Sequence, residues 1–239
     1  MENLQKLYEG KAKTLYKAPN EDQIIIHFKD DTTAFNGEKK EKFHDKGKVN
    51  LAISNMILSF LEKMGIPTHT ISQIDERTIL AKKVKIFPIE FVVRNIATGS
   101  LLKRTPFREG ETLKRPLLEY FYKDDDLGDP LITKDHIDLL ELCTKDQLET
   151  MNEYTLKINE LLSTFFKKTG LILVDFKVEF GLTQDGNIVL GDEISPDSCR
   201  LWDKDTMEKF DKDVFRKDLG DMMQRYKEVL KRLEENNND

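Results

Sequence analysis

Residues 171–200 read LILVDFKVEFGLTQDGNIVLGDEISPDSCR, and the fold is organised around this stretch. Two runs rich in Val, Ile, Leu and Phe flank the polar residues 184–187. Asp185 and Gly186 between such runs favour a tight two-residue hairpin turn, because both central positions of that turn need positive φ. Alternation in the first strand predicts an apolar face toward the core, made of Ile172, Val174, Phe176, Val178 and Phe180. The opposite face of the strand carries Asp175, Lys177 and Glu179.

Folding the hairpin about this turn places Glu179 directly opposite Asp192. Opposed side chains have Cβ atoms about 5 Å apart, and like charges there repel by about 3 kcal/mol at an effective dielectric of about 20. The local sequence offers only Lys177 to relieve the repulsion, and Lys177 lies diagonally off the pair. Mg²⁺ is commonly held by one or two carboxylates together with water and phosphate oxygens. We therefore predict that Glu179 and Asp192 hold Mg²⁺ beside a nucleotide's phosphates, with two solvated acids on an open sheet face as the alternative.

Length and composition narrow the class of protein. The 239 residues suffice for one large domain or for two lobes that share a cleft. The formal charge of −6, with acids and bases mixed, argues against nucleic-acid binding, which requires a basic face. No apolar run approaches about 18 residues, and residues 1–13 show no apolar signal core, so we expect neither a membrane span nor a signal peptide. Cys143 and Cys199 lack metal-site spacing and favour a reduced, cytoplasmic protein.

Residues 4–17 are predicted to form a strand, a glycine-containing bend and a second strand. Gly10 allows the backbone to approach a ligand closely. Lys11 and Lys13 follow on one side of the second strand, with Ala12 between them. Two lysines beside a glycine bend are typical of a loop that covers phosphates, although the spacing is not that of a Walker loop. Two solvated lysines are the alternative interpretation.

Two pairs of residues predict anion-binding pockets. Arg94 lies shortly before Ser100, which opens a helix-like segment whose free N–H groups attract anions. Arginine binds phosphate or carboxylate through two parallel hydrogen bonds, which strengthens this interpretation. A second pocket is expected where Arg200 and Arg216 come together.

The rest of the pattern predicts an α+β chain. Further strands are expected at residues 23–28, 68–74, 78–87, 89–93 and 117–122, with Pro88 separating two of them. Amphipathic helices are expected at residues 49–64, 145–169 and 210–233, the last with Leu219 among its inward residues. Residues 30–48 are polar and are predicted to form a mobile loop.

The sequence shows no Ser–His–Asp or Cys–His set. Cys199 is interpreted as a packed thiol rather than a nucleophile, because thiolate chemistry needs an activating cationic setting. The acidic turn after Lys123 lacks the alternating ligands of a calcium loop, whereas Lys123 itself is a candidate for binding phosphate. The chemistry expected is therefore nucleotide-driven group transfer, carried out by positioning and charge neutralisation.

Several segments resemble the phosphoribosylaminoimidazole-succinocarboxamide synthase (SAICAR synthetase) family of purine biosynthesis. The two longest are FPIEFVVRNIATGS at 87–100 and LILVDFKVEFG at 171–181. Four more occur in family order: YEGKAK at 8–13, DDTTAFNG at 30–37, LGDEISPDSCRLWDKDT at 190–206 and FRKDLG at 215–220. The resemblance implies a two-lobed fold related to ATP-grasp and protein-kinase architectures, with antiparallel sheets, packed helices and an ATP cleft. An N-terminal β-rich lobe would span residues 1–85, and a larger lobe residues 86–239.

The resemblance also implies the reaction and its residues. ATP, carboxyaminoimidazole ribonucleotide and L-aspartate would give the succinocarboxamide, ADP and phosphate. ATP phosphates would be covered by Gly10, Lys11, Ala12 and Lys13. Adenine would meet Lys82 and Val84, Lys123 would add positive charge, and Mg²⁺ would bind Glu179 and Asp192. The ribonucleotide would bind Arg94, Ser100, Arg200 and Arg216, with Asp175 accepting from its exocyclic amine and Lys177 near the carboxylate being activated. Catalysis would rest on Lys11, Lys13, Asp175 and Lys177.

Four matters stay open at the level of sequence. The family implies a homodimer, and residues 33–40 are a candidate segment for binding aspartate. A small-molecule kinase on the same fold is a rival interpretation. A nucleotide-binding regulator without turnover is another.

Overall fold

The computed structural model describes residues 4–34 and 39–237, and most of its strands belong to two antiparallel sheets. The first sheet contains β1 (Lys6–Glu9), β2 (Lys13–Lys17), β3 (Gln23–Phe28), β6 (Thr70–Asp75) and β7 (Thr78–Lys82). Its strand order is β1-β2-β3-β7-β6. A separate two-stranded ribbon joins β4 (Asp31–Ala34) to β5 (Lys39–Lys42).

The second sheet is centred on a long strand that pairs with three others. Its members are β8 (Lys85–Ile96), β9 (Thr112–Tyr122), β10 (Leu131–Ile132), β11 (Leu171–Leu182), β12 (Ile188–Leu190) and β13 (Cys199–Asp203). The order is β10-β9-β8-β11-β12, and β13 also pairs with β11. One edge of β11 meets β8, while the other meets β13 in its first half and β12 in its last residues. Strands β12 and β13, and the segment that joins them, therefore lie along the same edge of β11.

The helices cover this sheet and share one apolar core with it. They are α1 (Lys46–Lys63), α2 (Lys134–Leu139), α3 (Lys145–Lys168), α4 (Asp213–Arg216) and α5 (Met222–Asn237), with a 3₁₀ turn at Gly99–Lys103. A capping box fixes the start of α3, where Thr144 and Gln147 each bind the other's backbone N–H. Side chains buried in the shared core include Ile57, Phe91, Phe166, Phe180 and Tyr226. None of the described helices is both long and apolar enough to cross a membrane.

The hairpin between β11 and β12 forms, but the predicted two-residue turn is wrong. Phe180 pairs with Leu190, and the Thr183 N–H donates to the Asn187 carbonyl at 2.9 Å. The loop therefore contains three residues, and Gly186 takes the left-handed conformation at φ 83°. Asp-Gly also suits a three-residue loop that ends in a left-handed residue, so the dipeptide alone does not decide the register.

The face of β11 changes partway along the strand, which simple alternation did not predict. The core contacts predicted for Phe176, Val178 and Phe180 are confirmed. Ile172 and Val174 were assigned to the wrong face, because they pack instead with Ile96 and Trp202. The pairing of β11 with β13 shifts between Leu173 and Asp175, and such an irregularity exchanges the two faces of a strand.

Two segments, the loop predicted at 30–48 and the helix predicted at 210–233, have a different secondary structure from the one predicted. Residues 30–48 are not a loop in their described part, which forms β4, β5 and the start of α1; residues 35–38 of that prediction lie outside the described residues. The helix predicted at 210–233 is broken into α4 and α5. Asp218 at φ 52° and Gly220 at φ 122° cannot continue a right-handed helix, and Leu219 between them is 52% exposed rather than inward.

Pro88 does not separate two strands. Strand β8 runs through it, and the pairing with β11 shifts at this level, between Glu179 and Gly181. Proline is tolerated in a sheet at such an irregularity, because no ladder hydrogen bond needs its missing N–H. The strand predicted at 117–122 is likewise longer and begins at Thr112.

Candidate active site

A cavity of about 620 Å³ opens between the first sheet and the part of the second sheet formed by β8 and β11. Its apolar lining includes Leu15, Ile24, Ile26, Ile79, Val84 and Ile86. Its charged lining includes Lys11, Lys13, Lys123, Lys177, Lys212, Glu90, Glu179, Asp192 and Glu193. An apolar slot beside convergent charges is the usual form of a small-molecule site.

The glycine bend borders this cavity as the sequence predicts. The Gly10 N–H donates to the Lys13 carbonyl at 2.8 Å, which closes the bend between β1 and β2. Lys11 reaches across to Asp125, with its Nζ 2.7 Å from Oδ1. Lys13 points inward, where its Nζ contacts Asp192. Burial lowers the pKa of Lys13, but the nearby carboxylates outweigh burial and raise it above its ordinary value.

Glu179 lies on the charged face of β11, but its opposing residues differ from the prediction. The corrected hairpin register puts Gly191 beside it, with the Gly191 N–H 2.9 Å from the Glu179 carbonyl. On the other edge Glu179 pairs directly with Glu90 of β8. Lys177 bridges these two acids, with Nζ at 2.7 Å from Glu90 Oε1 and 2.8 Å from Glu179 Oε1. Lys123 adds a contact of 2.6 Å to Glu179 Oε2.

The charge on the acids is therefore relieved without a metal, and by more lysines than the Lys177 that the local sequence offered. Lysines from three separated parts of the chain, Lys13, Lys123 and Lys177, neutralise Glu179 and Asp192. Burial raises the pKa of Asp192, but Lys13 and Lys177 outweigh it and hold that pKa well below its usual range. The local sequence does not reveal Lys13 and Lys123 as partners, because both are far in sequence from the acids that they contact.

Glu193 is a further carboxylate in the cavity that the sequence did not single out. It is 8% exposed, and burial raises the pKa of its carboxyl. Its Oε2 makes no hydrogen bond within residues 4–34 and 39–237, and Lys13 Nζ stands 3.5 Å away. A buried carboxylate oxygen of this kind is available to a ligand.

The acids fit Mg²⁺ only as a site shared with a ligand. No group of three or more His, Cys, Asp and Glu side chains that could hold a metal by itself occurs in the described part of the chain. Glu179 and Asp192 nevertheless line the same cavity. Two carboxylates completed by phosphate oxygens and water are the usual Mg²⁺ environment in nucleotide sites, so the donor set suits that ion.

The charged face of β11 continues into an arginine network. Asp175 is the direct pair of Arg94 on β8 and of Arg200 on β13. Its Oδ2 accepts from Arg94 at 3.0 Å and from Arg200 at 2.7 Å. Arg94 is 3% exposed, and it also donates to Glu119 at 2.7 Å and to the Ser100 hydroxyl at 3.0 Å. Each of the three guanidinium nitrogens of Arg94 thereby donates a hydrogen bond to the protein.

The two arginine pockets that the sequence treats separately form one network. Arg200 Nε donates to Asp213 Oδ2 at 3.2 Å, and Arg216 donates to Asp213 Oδ1 at 2.7 Å. Burial raises the pKa of Asp213, but the two arginines outweigh it and hold that pKa at about 2. Arg200 also packs against Gly99, where a Cβ would lie 2.8 Å from its guanidinium. The sequence missed Glu119 and Asp213, because acids that orient arginines carry no motif of their own.

Other predicted site residues lie at the margin. Val84 lines the cavity and packs on Gly181, where an added Cβ would lie 2.5 Å from a Val84 methyl group. Lys82 lines a neighbouring hollow instead, and its Nζ donates to the Thr68 carbonyl at 3.1 Å. The arginine network lies beyond the cavity lining and is connected to it along β11 through Lys177.

Beneath the cavity lies a buried charge pair that the sequence did not reveal. Lys46 is 1% exposed and forms an ion pair with Asp197 at 2.5 Å. Asp197 also accepts from Tyr226 at 2.7 Å and from Asn50 at 3.0 Å. Lys46 lies in the first turn of α1, where its place among polar residues gave no signal of burial.

Cys199 is a packed thiol in the structure. It is 3% exposed, and burial raises its pKa far above the ordinary value. A thiol of this kind is a poor nucleophile, which agrees with the interpretation from sequence.

Comparison with known proteins identifies the family. A family model described as SAICAR synthetase matches residues 6–233. The phosphoribosylaminoimidazole-succinocarboxamide synthase of Caldanaerobacter subterraneus subsp. tengcongensis is 53% identical over 235 residues, covering 98% of this chain and 100% of that protein. The synthase of the same name from Finegoldia magna is 56% identical over 230 residues, covering 96% and 99%.

Solved structures agree with the sequence relatives. A structure described as SAICAR synthetase (Type-2) in complex with ADP has a TM-score of 0.92 and 46% identity, covering 95% of this chain and 96% of that one. The phosphoribosylaminoimidazole-succinocarboxamide synthase of Ehrlichia chaffeensis has a TM-score of 0.94 and 43% identity, covering 96% and 98%. The glycine bend, the lysine-neutralised carboxylates and the arginine network thus occur on a known enzyme scaffold, and the chain belongs to the SAICAR synthetase family.

Proposed function

We propose that this cleft joins L-aspartate to carboxyaminoimidazole ribonucleotide with ATP, giving the succinocarboxamide, ADP and phosphate. As a member of its family, the chain is an ATP-dependent amide-forming ligase of purine biosynthesis. The observation that carries the proposal is the cavity in which lysines of the glycine bend face Asp192 and Glu193 beside an apolar slot. The relative solved in complex with ADP supports nucleotide binding.

ATP is assigned to the apolar slot and the glycine bend. Gly10 and Ala12 allow the backbone to approach the phosphates, while Lys11 and Lys13 offset their charge. Val84, with Lys82 at the neighbouring hollow, lies where adenine would be met through backbone groups. Lys123, held to Glu179 at 2.6 Å, adds a further cation at the cavity.

Glu179 and Asp192 are the residues that would hold Mg²⁺. When bound, the ion supplies charge neutralisation and alignment of phosphate oxygens. Lys13, Lys123 and Lys177 already neutralise these carboxylates, so the protein can keep both acids in one cavity before any ligand enters.

The ribonucleotide is assigned to the arginine network. Arg200 and Arg216 have the more accessible guanidinium groups, so we assign them direct contact with its phosphate. Arg94 is buried and orients Ser100 and Asp175 toward the same ligand. Asp175 then accepts a hydrogen bond from the exocyclic amine, which places the substrate carboxylate toward Lys177 on the same face of β11.

The chemistry must remove an oxygen from a carboxylate, and a free amine cannot do so unaided. Transfer of the terminal phosphoryl group from ATP to a carboxylate oxygen of the ribonucleotide converts that oxygen into a leaving group. The aspartate nitrogen then forms a bond to the carboxyl carbon, the C–O bond to phosphate breaks, and the nitrogen loses a proton. Lys13 and Lys177 stabilise the negative charge that accumulates on the transferred group.

Product analysis with and without aspartate tests the assignment. A ligase consumes ATP in step with amide formation only when both the ribonucleotide and aspartate are present. ATP consumption with the ribonucleotide alone, leaving a stable phosphorylated product, would instead identify the rival small-molecule kinase. No turnover with all substrates present would identify a binding protein.

Three broader assignments accompany this function. We place the boundary between an N-terminal lobe, residues 1–85, and a larger lobe, residues 86–239, at the link between β7 and β8, because each side carries its own sheet. The cytoplasm is the proposed location, supported by the enzyme class and two free cysteines. A homodimer is proposed on family resemblance.

A further inference from the structure

One lysine in the cavity differs from the others in having no acid partner in the described part of the chain. Lys11, Lys13, Lys123 and Lys177 each form an ion pair with a carboxylate. Lys212 lines the same cavity, yet its ammonium group forms neither an ion pair nor a hydrogen bond with any residue among 4–34 and 39–237. Among the described residues, Lys212 is therefore the cavity lysine whose charge no contact neutralises.

Asp197, the acid whose charge acts most strongly on Lys212, already has other hydrogen-bond partners. The Lys212 N–H donates to the Pro196 carbonyl at 3.1 Å, which fixes the residue beside the segment that carries Asp197. Asp197 accepts from Lys46, Asn50 and Tyr226. Its oxygens are therefore engaged in holding α1 and α5, and it influences Lys212 only from a distance.

An isolated ammonium group in this position is costly. Burial lowers the pKa of Lys212, the more distant charge of Asp197 opposes that effect, and Lys46 and Arg216 lower the pKa further. The folded protein thus keeps a half-buried cation that an external anion would stabilise.

The position of Lys212 indicates which of the three substrates supplies the anion that it would bind. The phosphates of ATP are provided for by Lys11, Lys13 and Lys123, and the phosphate of the ribonucleotide by Arg200 and Arg216. L-Aspartate brings two carboxylates, and none of those cations is assigned to them. Lys212 is connected to both groups, since it lines the cavity together with Lys13 and its carbonyl accepts from the Arg216 N–H at 3.0 Å.

The segment around Lys212 also contacts β5, which contains residues 39–40 of the range 33–40 that the sequence offered as an aspartate site. Lys39 Nζ of β5 donates to the Phe215 carbonyl at 2.6 Å and lies over the Phe215 ring. Phe43 packs edge-on against the same ring, with centroids 5.6 Å apart. Lys39, in the described part of residues 33–40, thus contacts the same residue as Lys212, because the Phe215 N–H donates to the Lys212 carbonyl at 3.1 Å. Residues 35–38 of that range lie outside the described residues.

We propose that Lys212 binds a carboxylate of the L-aspartate substrate, an inference that rests on the proposed ligase function. The ammonium group holds the amino acid between the nucleotide and the ribonucleotide, with its amine directed to the carboxyl carbon. Lys212 is a substrate-binding residue in this account and takes no part in proton transfer.

The test compares Lys212→Met, Lys212→Arg and the control Lys204→Met, whose lysine is exposed and outside the cavity. Loss of a charged hydrogen bond should raise the KM for aspartate in Lys212→Met by about 10- to 150-fold. The KM values for ATP and the ribonucleotide should stay within about twofold, and Lys212→Arg should recover most of the loss. Succinate, a dicarboxylate without the amine, should lose inhibition in parallel with the rise in KM for aspartate.

Several results would overturn the inference. These are an unchanged KM for aspartate in Lys212→Met, an equal rise in all three KM values, or a Lys212→Arg variant whose kcat falls while its KM for aspartate is normal. The last result would make Lys212 a proton acceptor. Wild-type enzyme that forms no amide from aspartate would refute the proposed function instead, so the two failures are distinguishable.

Thermal unfolding supplies a readout independent of activity. Because Lys212→Met removes a cation without a partner, its unfolding midpoint should equal or exceed that of the wild type. A clearly lower midpoint would show that Lys212 is neutralised within the protein and would contradict the premise.

Discussion

Glu90, Lys177 and Glu179 show how individual residues set up this site. Two acids face each other across β8 and β11, and one lysine contacts both at 2.7 and 2.8 Å. Like charges in such a pair destabilise a sheet unless a cation lies between them. Burial is the main effect that raises the pKa of Glu90, with Lys177 opposing it. The site therefore holds its acids through its own lysines and keeps them available for a ligand.

Asp192→Asn tests the proposed metal-binding role at the level of one side chain. The substitution keeps the size of the residue but removes the charge, so turnover should fall by about 100-fold or more while the fold persists. Steady-state rates measured over a range of Mg²⁺ concentrations check this, with circular dichroism to monitor folding. Asp185→Asn, in the exposed turn of the same hairpin, is the matched control. Turnover close to that of the control would exclude Asp192 from the metal site.

The β11–β12 hairpin is the element that positions Glu179 and Asp192. Its three-residue loop needs a left-handed residue, and Gly186 supplies it at φ 83° with no atom within 4 Å of where a Cβ would lie. Gly186→Ala should therefore destabilise the protein by about 1–2 kcal/mol through backbone strain alone. Gly186→Asn should cost less, since asparagine tolerates this conformation.

Urea unfolding of the two glycine variants measures this difference, and enzyme activity at low denaturant should be unchanged in both. Equal stability of Gly186→Ala and the wild type would contradict the three-residue loop.

The segment between β13 and α4 predicts a specific pH dependence. Asp211 is fully buried, and burial together with the charge of Asp213 raises its pKa from 3.8 to about 7. Between these values the unfolded chain has released the Asp211 proton while the folded chain keeps it. The folded state then binds more protons, so the stability contributed by Asp211 falls as the pH rises from 3.8 to about 7.

Asp211→Asn should remove this slope. The free energy of unfolding, measured at about pH 4.5 and about pH 7.5, should show the wild type losing stability relative to the variant at the higher pH. A constant difference between the two proteins at both values would indicate that Asp211 ionises normally.

The same elements show what the sequence can and cannot predict. Local patterns were sufficient for β3, for α3 with its capping box, and for the glycine bend at Gly10. The hairpin register was missed by one residue, because Asp185-Gly186 fits two loop lengths. The pairings of Asp175 with Arg94 and of Glu179 with Glu90 join residues more than 80 positions apart, and no local spacing encodes them. The family resemblance, rather than the physics of the sequence, brought the arginines and the nucleotide residues together.

At the scale of the whole molecule, the active site depends on two sheets facing one cavity. The first sheet contributes the glycine bend and much of the apolar slot, and β11 of the second sheet carries the acids and the link to the arginine network. In the proposed assignment, each substrate class would meet a separate set of charges along this path, from Lys13 through Lys177 to Arg200.

Oxygen transfer tests this account most directly. The ribonucleotide is labelled with ¹⁸O in its carboxylate and converted completely with ATP and aspartate, and the released phosphate is analysed by mass spectrometry. Activation of the carboxylate by ATP predicts that each phosphate carries one oxygen from the labelled carboxylate. Phosphate free of label, formed together with normal amide product, would contradict the account.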